Sequence, residues 1–263
     1  MDKNLQNHRI LLGAHRGDRR NYPENTMPAF RAAVEMGCDA IETDVRMTKD
    51  GHLVLIHDRD TVRTTGVHGF VDEMTLAELR ALDAGGFKGE RFRGEPIPTV
   101  EEFLELVAGT DVIVNWELKE YPSDFEGDRA YRTADRLIEL IDAYGIADRS
   151  LMNSFSQKLL DYIDRKYPKK FAIHGYIGYE KIDVCERTLA EFLDWAVIWY
   201  KPTGFVAGRK EDYDVASSHG IPTCILVPDT EEAYREALTL GCTMFTSDDP
   251  RKAIDILRTI GVR

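Results

Sequence analysis

The chain lacks the features of a disulfide scaffold, a zinc protein, a membrane span or a nucleic-acid binder. Its four cysteines, Cys38, Cys185, Cys224 and Cys242, are scattered over 263 residues with no C-x-x-C pair. That spacing offers neither a disulfide framework nor a thiolate zinc site, and four reduced thiols are expected. No run of about 18 apolar residues occurs, so no transmembrane helix is expected. The polar start MDKNLQNHRI has no signal-peptide core. Basic residues are outnumbered 34 to 46, for a net charge of −12. Nucleic acid and anionic membrane surfaces both require basic patches. The expectation is a cytoplasmic protein with no nucleic-acid partner and no stable membrane association. A small phosphate-bearing ligand stays compatible with the acidity, because a bound divalent cation reverses the local field. The glycine loop G-x-G-x-x-G of a dinucleotide-binding sheet is also missing.

What is present is alternation. Short apolar runs at residues 10–15, 40–47, 112–118, 150–155, 171–176, 196–201, 222–227 and 243–246 read as strands. Amphipathic stretches lie between most of them: NTMPAFRAAVEMG, DRAYRTADRLIELIDAYG, SQKLLDYIDRKY, TLAEFLDW, RKEDYDVASSHG, TEEAYREALTLG and DPRKAIDILRTIG. Several end in glycine, a common helix stop. Eight strands with intervening helices in this length predict an α/β fold, a (β/α)8 TIM barrel forming one domain over residues 1–263. Residues 59–98 break the repeat. They are rich in glycine and charge, have one helical pattern at 76–82, and look too poor in apolar residues to form a core alone. They are read as an insertion after the strand-two hairpin.

The stretch IETDVRMTKDGHLVLIHD carries the chemistry. Strand alternation places Glu42 and Asp44 on one face. Asp50-Gly51 is a hairpin signal. A turn on those two residues puts His57 opposite Asp44, and a turn on Lys49-Asp50 puts it opposite Glu42. In both registers His57 falls on the carboxylate face. Glu117, in VIVNWELK, holds the equivalent late position on the next strand. A solvent-facing ion pair is the ordinary use of acids on a strand, but in a barrel these positions face the C-terminal mouth, where active sites form. Three converging carboxylates repel one another without a cation, and an oxygen-only set suits Mg²⁺ or Ca²⁺. The first strand ends in His15-Arg16-Gly17, which supplies an acid–base group, an anion clamp and a sharp turn. In YPENTMPAF, helix capping by Asn25 or Thr26 and direct substrate contact by Glu24 and Asn25 both stay open.

The other candidates have ordinary readings. His8, His52, His68 and His219 are expected at the surface, and His174 as a core histidine with its ring satisfied. Trp116 should point away from Glu117, toward the helices. Phe155, Trp199 and Tyr200 are core residues by default. Phe155, which ends its strand, is the best placed of them to line the mouth. Lys201 is a weaker candidate for anion contact.

The block AHRG…PENTMPAFRAAVEMGCDAIETDVRMTKDGHLVLIHD resembles the signature of the glycerophosphodiester phosphodiesterase family. RTTG, TLAELRALDAGG, IPTVEEFLEL, NWELK, NSF and GCTMFTSDDP follow in the family's order. The resemblance implies a TIM barrel with a small insertion after the first hairpin. It implies one divalent cation held by Glu42, Asp44 and Glu117, with His15 and His57 as the acid–base pair. It places Arg16 on the phosphate with Lys119 nearby, and leaves Glu24, Asn25 and Phe155 as further substrate-binding candidates. The substrate would be a small glycerophosphodiester, such as glycerophosphocholine or glycerophosphoethanolamine, cleaved to glycerol 3-phosphate and an alcohol. A homodimer stays open. Family members often carry Trp-Thr on the seventh strand, where this chain reads CILVPD, so the headgroup wall is expected to differ. Related barrels act as lysophospholipases D or as cyclising lyases, but would be expected to have apolar loops for a lipid surface. A non-catalytic phosphodiester binder would be expected to have lost a histidine or a ligand.

Overall fold

The computed structural model describes residues 10–178, 182–200 and 205–263. The chain opens with β1 (Leu11–His15), α1 (Met27–Glu35), β2 (Ala40–Met47) and β3 (Leu53–Leu55). The short helices α2 (Val62–Thr65) and α3 (Leu76–Arg80) follow, then α4 (Val100–Val107), β4 (Ile113–Leu118), α5 (Arg129–Ala143), β5 (Ser150–Ser154) and α6 (Gln157–Lys166). The remainder runs β6 (Ala172–Tyr176), β7 (Trp195–Trp199), α7 (Lys210–Ser218), β8 (Thr223–Leu226), α8 (Glu231–Thr239), β9 (Cys242–Ser247) and α9 (Pro250–Thr259). Of the nine strands among the described residues, only β3 runs antiparallel, as the hairpin partner of β2. The other eight are parallel, and the β1–β2 and β1–β9 pairings close them into a barrel.

Local sequence explains the elements. Helix α5 buries Ala130, Ala134, Leu137, Ile138 and Ile141, a spacing of three and four that lays one stripe on the sheet. Thr99 opens α4 through a reciprocal capping box with Glu102, and Ser156, Thr230 and Asp249 cap α6, α8 and α9. Among the described residues, no helix is long and apolar enough to cross a membrane.

The inward side chains form rings, because strand side chains alternate with a period of two. The lowest ring is an apolar plug with one residue from each barrel strand: Leu11, Ala40, Ile113, Leu151, Ala172, Trp195, Cys224 and Met244. Two residues further along each strand come Gly13, Glu42, Asn115, Asn153, His174, Val197, Leu226 and Thr246. The same parity carried on once more reaches His15, Asp44, Glu117, Phe155, Tyr176, Trp199 and Asp248 at the mouth. Trp116 has the opposite parity. It is fully buried against Phe103, with its indole N–H on Ser150, toward the helices as expected.

Two expectations need adjustment. TLAEFLDW is not a helix but a single 3₁₀ turn, Leu189–Glu191. Phe192 and Leu193 drop into the core, and the Asp194 carboxylate takes the backbone N–H of Ile173 at 3.0 Å. Strand β7 therefore begins before a second turn can form. The insertion does not form a core alone, but its Val71, Leu79, Ala84 and Ile97 close a cluster with Val54 and Ile56 of the hairpin.

Candidate active site

The hairpin that delivers His57 has a register midway between the two expected. Val45 faces Leu55, Arg46 faces Val54 and Met47 faces Leu53. The loop has three residues, not two. Gly51 donates its N–H to the Thr48 carbonyl at 3.2 Å and adopts φ 88°, and Thr48 then pairs with His52. A type I turn followed by a left-handed glycine is the next commonest hairpin after the two-residue loops. Asp44 consequently pairs with Ile56, and continued pairing would send His57 to the outer face. The strand stops first. The His57 carbonyl is taken by Arg46 Nε at 2.9 Å, while Arg46 Nη1 holds the Lys119 carbonyl at 3.1 Å. The chain turns there, and the imidazole meets the Asp58 carboxylate at Nδ1. Strand parity does not set the direction of His57; the end of the ladder frees its side chain.

Glu42, Asp44 and Glu117 converge, with one oxygen from each lying within 4.8 Å of the others. All three are buried. Burial first, then repulsion from Asp44 and Glu117, pushes the Glu42 carboxyl well above its usual range. Burial acts the same way on Asp44, but Arg16, Lys119, His57 and the Asn25 amide outweigh it and hold this carboxyl well below the usual range. Arg16 Nε lies 3.0 Å from Asp44, and Lys119 Nζ bridges Glu117 and Asp44, the latter at 3.2 Å. Glu42 Oε2 accepts the backbone N–H of Arg16 at 3.0 Å, while its Oε1 is buried with no hydrogen-bond partner among the described residues. An acceptor-only cluster with an orphaned carboxylate oxygen fits a hard divalent cation.

The loop after β1 is shaped for this site. Arg16 and Asn25 are non-glycine residues with positive φ, 56° and 52°, and their backbones are tied by Asn25 N–H to Arg16 carbonyl at 3.1 Å. Such conformations are uncommon and cluster at functional sites. Gly17, at φ 76°, runs so close to α1 that a Cβ would lie 2.6 Å from the Ala29 carbonyl carbon. Asn25 donates to Asp44 Oδ2 at 2.7 Å and accepts from Thr43 at 2.9 Å. Thr26 occupies the N-cap of α1 but gives it no side-chain cap; its hydroxyl bonds to Pro23 instead. Glu24 clamps Arg16, Arg19 and Arg63. In spite of its burial these arginines bring its pKa down to about 2, the Arg63 hydrogen bonds contributing most. Glu24 and Asn25 are thus buttresses of the site in this structure.

The two histidines share one arrangement. His15 Nδ1 lies 2.5 Å from Asp248, and His57 Nδ1 lies 2.6 Å from Asp58. Each carboxylate orients its ring through Nδ1, and at His15 the Arg19 Nη1 also approaches Nδ1, at 3.3 Å. His15 Nε2 lies 3.8 Å from Glu42. Burial lowers the pKa of His15, against the opposing pull of Asp248. Neither carboxylate was singled out in the sequence. Asp248 was legible by parity, two places beyond Thr246 and four beyond Met244; Asp58 is the neighbour of His57, and nothing in the spacing marks it. Tyr176 was also missed. Its hydroxyl donates to Glu117 Oε2 at 3.2 Å, receives the Asn153 amide at 3.4 Å, and its ring stacks on Phe155 at 3.8 Å. Phe155 therefore does line the mouth, with Lys119 above its ring at 5.5 Å. His52, His68 and His219 are exposed. His174 is buried, but neither ring nitrogen has a partner among the described residues, so it is a core histidine without the expected satisfaction. Lys201 and His8 lie outside the described residues.

Residues 15–203 match the model of the glycerophosphoryl diester phosphodiesterase family. The chain is 44% identical over 170 residues to a glycerophosphodiester phosphodiesterase of Caldanaerobacter subterraneus subsp. tengcongensis, an alignment covering 65% of this chain and 66% of that one, just under two thirds. It is 33% identical to a glycerophosphodiester phosphodiesterase of Bacillus altitudinis, over 92% of this chain and 96% of the relative. The structure of a putative glycerophosphoryl diester phosphodiesterase from Silicibacter pomeroyi superposes with a TM-score of 0.83 at 26% identity, covering 97% and 95% of the two chains.

Proposed function

The chain belongs to the glycerophosphoryl diester phosphodiesterase family, a class of phosphoric diester hydrolases, and on that premise we propose that it cleaves glycerophosphocholine- and glycerophosphoethanolamine-type diesters to glycerol 3-phosphate and an alcohol, using two histidines around a metal-bearing carboxylate cluster. One observation carries this reading. His15 Nε2 lies 3.8 Å from Glu42 in a cluster of three buried acids whose oxygens lie within 4.8 Å, and both His15 and His57 carry a carboxylate on Nδ1.

Glu42, Asp44 and Glu117 would hold the cation. When bound, such an ion supplies Lewis-acid polarisation of a phosphoryl oxygen. Arg16 and Lys119 add positive charge beside it. Both are buried, and the surrounding acids outweigh that burial and raise their pKa values, so both stay charged. His15, whose proton affinity is lowered by burial, takes the proton from the attacking hydroxyl as its oxygen bonds to phosphorus. His57, more open to solvent, gives a proton to the departing alkoxide as the second P–O bond breaks. Asp248 and Asp58 hold each ring with Nε2 toward the phosphorus.

The test is product analysis by phosphorus NMR of glycerophosphocholine incubated with the protein and Mg²⁺ or Ca²⁺. Glycerol 3-phosphate is the expected product, and a cyclic phosphate would overturn hydrolysis in favour of internal attack. Exhaustive chelation with EDTA should abolish turnover, and either hard cation should restore it. Full activity after chelation would rule out the metal role of the three acids.

A further inference from the structure

The second inward ring of the barrel is split by polarity. Val197 and Leu226 are apolar, whereas the neighbouring strands β2, β4, β5 and β6 contribute Glu42, Asn115, Asn153 and His174. Cross-strand register sets them beside the metal-binding carboxylates. Glu42 pairs with Asn115, Glu117 with Asn153, and Asn153 with His174. Each is at most 2% exposed. Each also carries an orphan: Glu42 Oε1, Asn115 Oδ1, Asn153 Oδ1 and both ring nitrogens of His174 have no hydrogen-bond partner among the described residues. Buried polar atoms in folded proteins are nearly always paired, with protein or with ordered water. The cation accounts for Glu42 Oε1, so the amide oxygens and the imidazole on the three neighbouring strands β4, β5 and β6 call for a partner of their own.

The chemistry of the orphans identifies their ligand. A neutral imidazole offers one donor and one acceptor. Burial pushes the His174 pKa down to about 3, so the ring is neutral at any working pH. With the two amide oxygens of Asn115 and Asn153, the arc presents mostly acceptors and a single donor. It needs a small molecule that is mainly a donor and can also accept one hydrogen bond. We propose that this arc is an internal water site: His174 and Asn153 anchor buried water directly beneath the metal-binding carboxylates, and this water holds the carboxylates in position. About two molecules would supply hydrogens for the acceptors and take the imidazole N–H. The link to the chemistry is already built, since Asn153 donates to the Tyr176 hydroxyl, which donates to Glu117 Oε2. His174 is thus a positioning residue, acting through Asn153 and Tyr176. The inference rests on the reading of Glu42 and Glu117 as cation ligands.

Two measurements test it. A crystal structure of the unsubstituted protein at high resolution should show ordered water within hydrogen-bond distance of a His174 ring nitrogen and of Asn153 Oδ1. A dry ring, a direct His174–Asn153 bond, or density that refines as an ion would overturn the proposal. Calorimetric titration with Ca²⁺ or Mg²⁺ alone provides the second readout. His174→Leu removes both ring nitrogens and should weaken metal binding roughly 10–100-fold, while His174→Gln, which keeps a donor and an acceptor, should recover most of that affinity. Unchanged affinity in His174→Leu would overturn the positioning role. Failure of the unsubstituted protein to bind either cation would overturn the reading of the carboxylate cluster itself, a result the crystallographic test does not depend on.

Discussion

Two rims of the barrel mouth present the same device and build it differently. At the β1 rim, His15 is bound by a carboxylate 233 residues away, and its side chain is only 5% exposed. At the hairpin rim, His57 is bound by the adjacent residue, and its side chain is 31% exposed. The β1 pair exists because barrel closure sets β9 beside β1, with Ala14 paired to Ser247 one step below. The hairpin pair is local, and the insertion steadies it: Arg63 of α2 bonds Asp58 and reaches across to Glu24. Glu24 in turn holds Arg16 and Arg19 on the β1 side. Equal geometry thus comes with unequal burial, and on the proposed mechanism burial would separate a proton acceptor from a solvent-linked proton donor.

The strongest way to break this comparison is to remove each ring. His15→Ala and His57→Ala should each lower kcat by about 10²–10⁴ with the fold retained, since both sit at the open mouth. The double variant should lose much less than the product of the two, because partners in one proton relay are not additive. Multiplicative losses would mean that the rings act independently.

A sharper cut uses the leaving group. A diester of p-nitrophenol scarcely needs protonation on departure. On that substrate His57→Ala should be nearly as active as the unsubstituted protein, while His15→Ala stays impaired. Equal losses on activated and natural substrates would refute the division of roles.

The supporting carboxylates should then differ in weight. Asp248→Asn removes the partner of a buried ring and should cost about 10²-fold or more in kcat, whereas Asp58→Asn, beside solvent and shared with Arg63, should cost only about 10-fold. Asp248 raises the proton affinity of His15, so its loss should also move the acid limb of the pH–rate profile to lower pH. A profile that does not move would reduce Asp248 to a packing role.

The smallest effect on turnover is expected at Glu24, the tie between the rims, where stability is the better readout. Its carboxyl is held down from 4.5 to about 2 in the folded protein. A depressed carboxylate contributes stability that is present above its unfolded pKa and lost as pH falls through the folded one. Glu24→Gln should therefore destabilise by about 2–3 kcal/mol at pH 7, and the gap to the unsubstituted protein should shrink between pH 4.5 and 2. A gap that is constant with pH would show that charge is not what Glu24 contributes.

The sequence by itself determined the alternation of strand and helix, and with it the barrel, because periods of two and three to four are local properties of the chain. It also determined that Glu42 and Asp44 share a face and that Trp116 turns away from Glu117, since both follow from parity within one strand. The extent of TLAEFLDW was not legible, because the core claims Phe192 and Leu193 before a helix can extend. The hairpin register was missed by one residue, because a three-residue loop and a two-residue loop share the Asp50-Gly51 signal. What only the tertiary structure decided are contacts across the closed barrel and the ends of its ladders. It brought Asp248 to His15, released His57 where pairing stops, set Tyr176 on Glu117 and left His174 without a hydrogen-bond partner among the described residues. Such meetings depend on which strands become neighbours and where each ladder ends, and neither is written in the order of residues along any one of them.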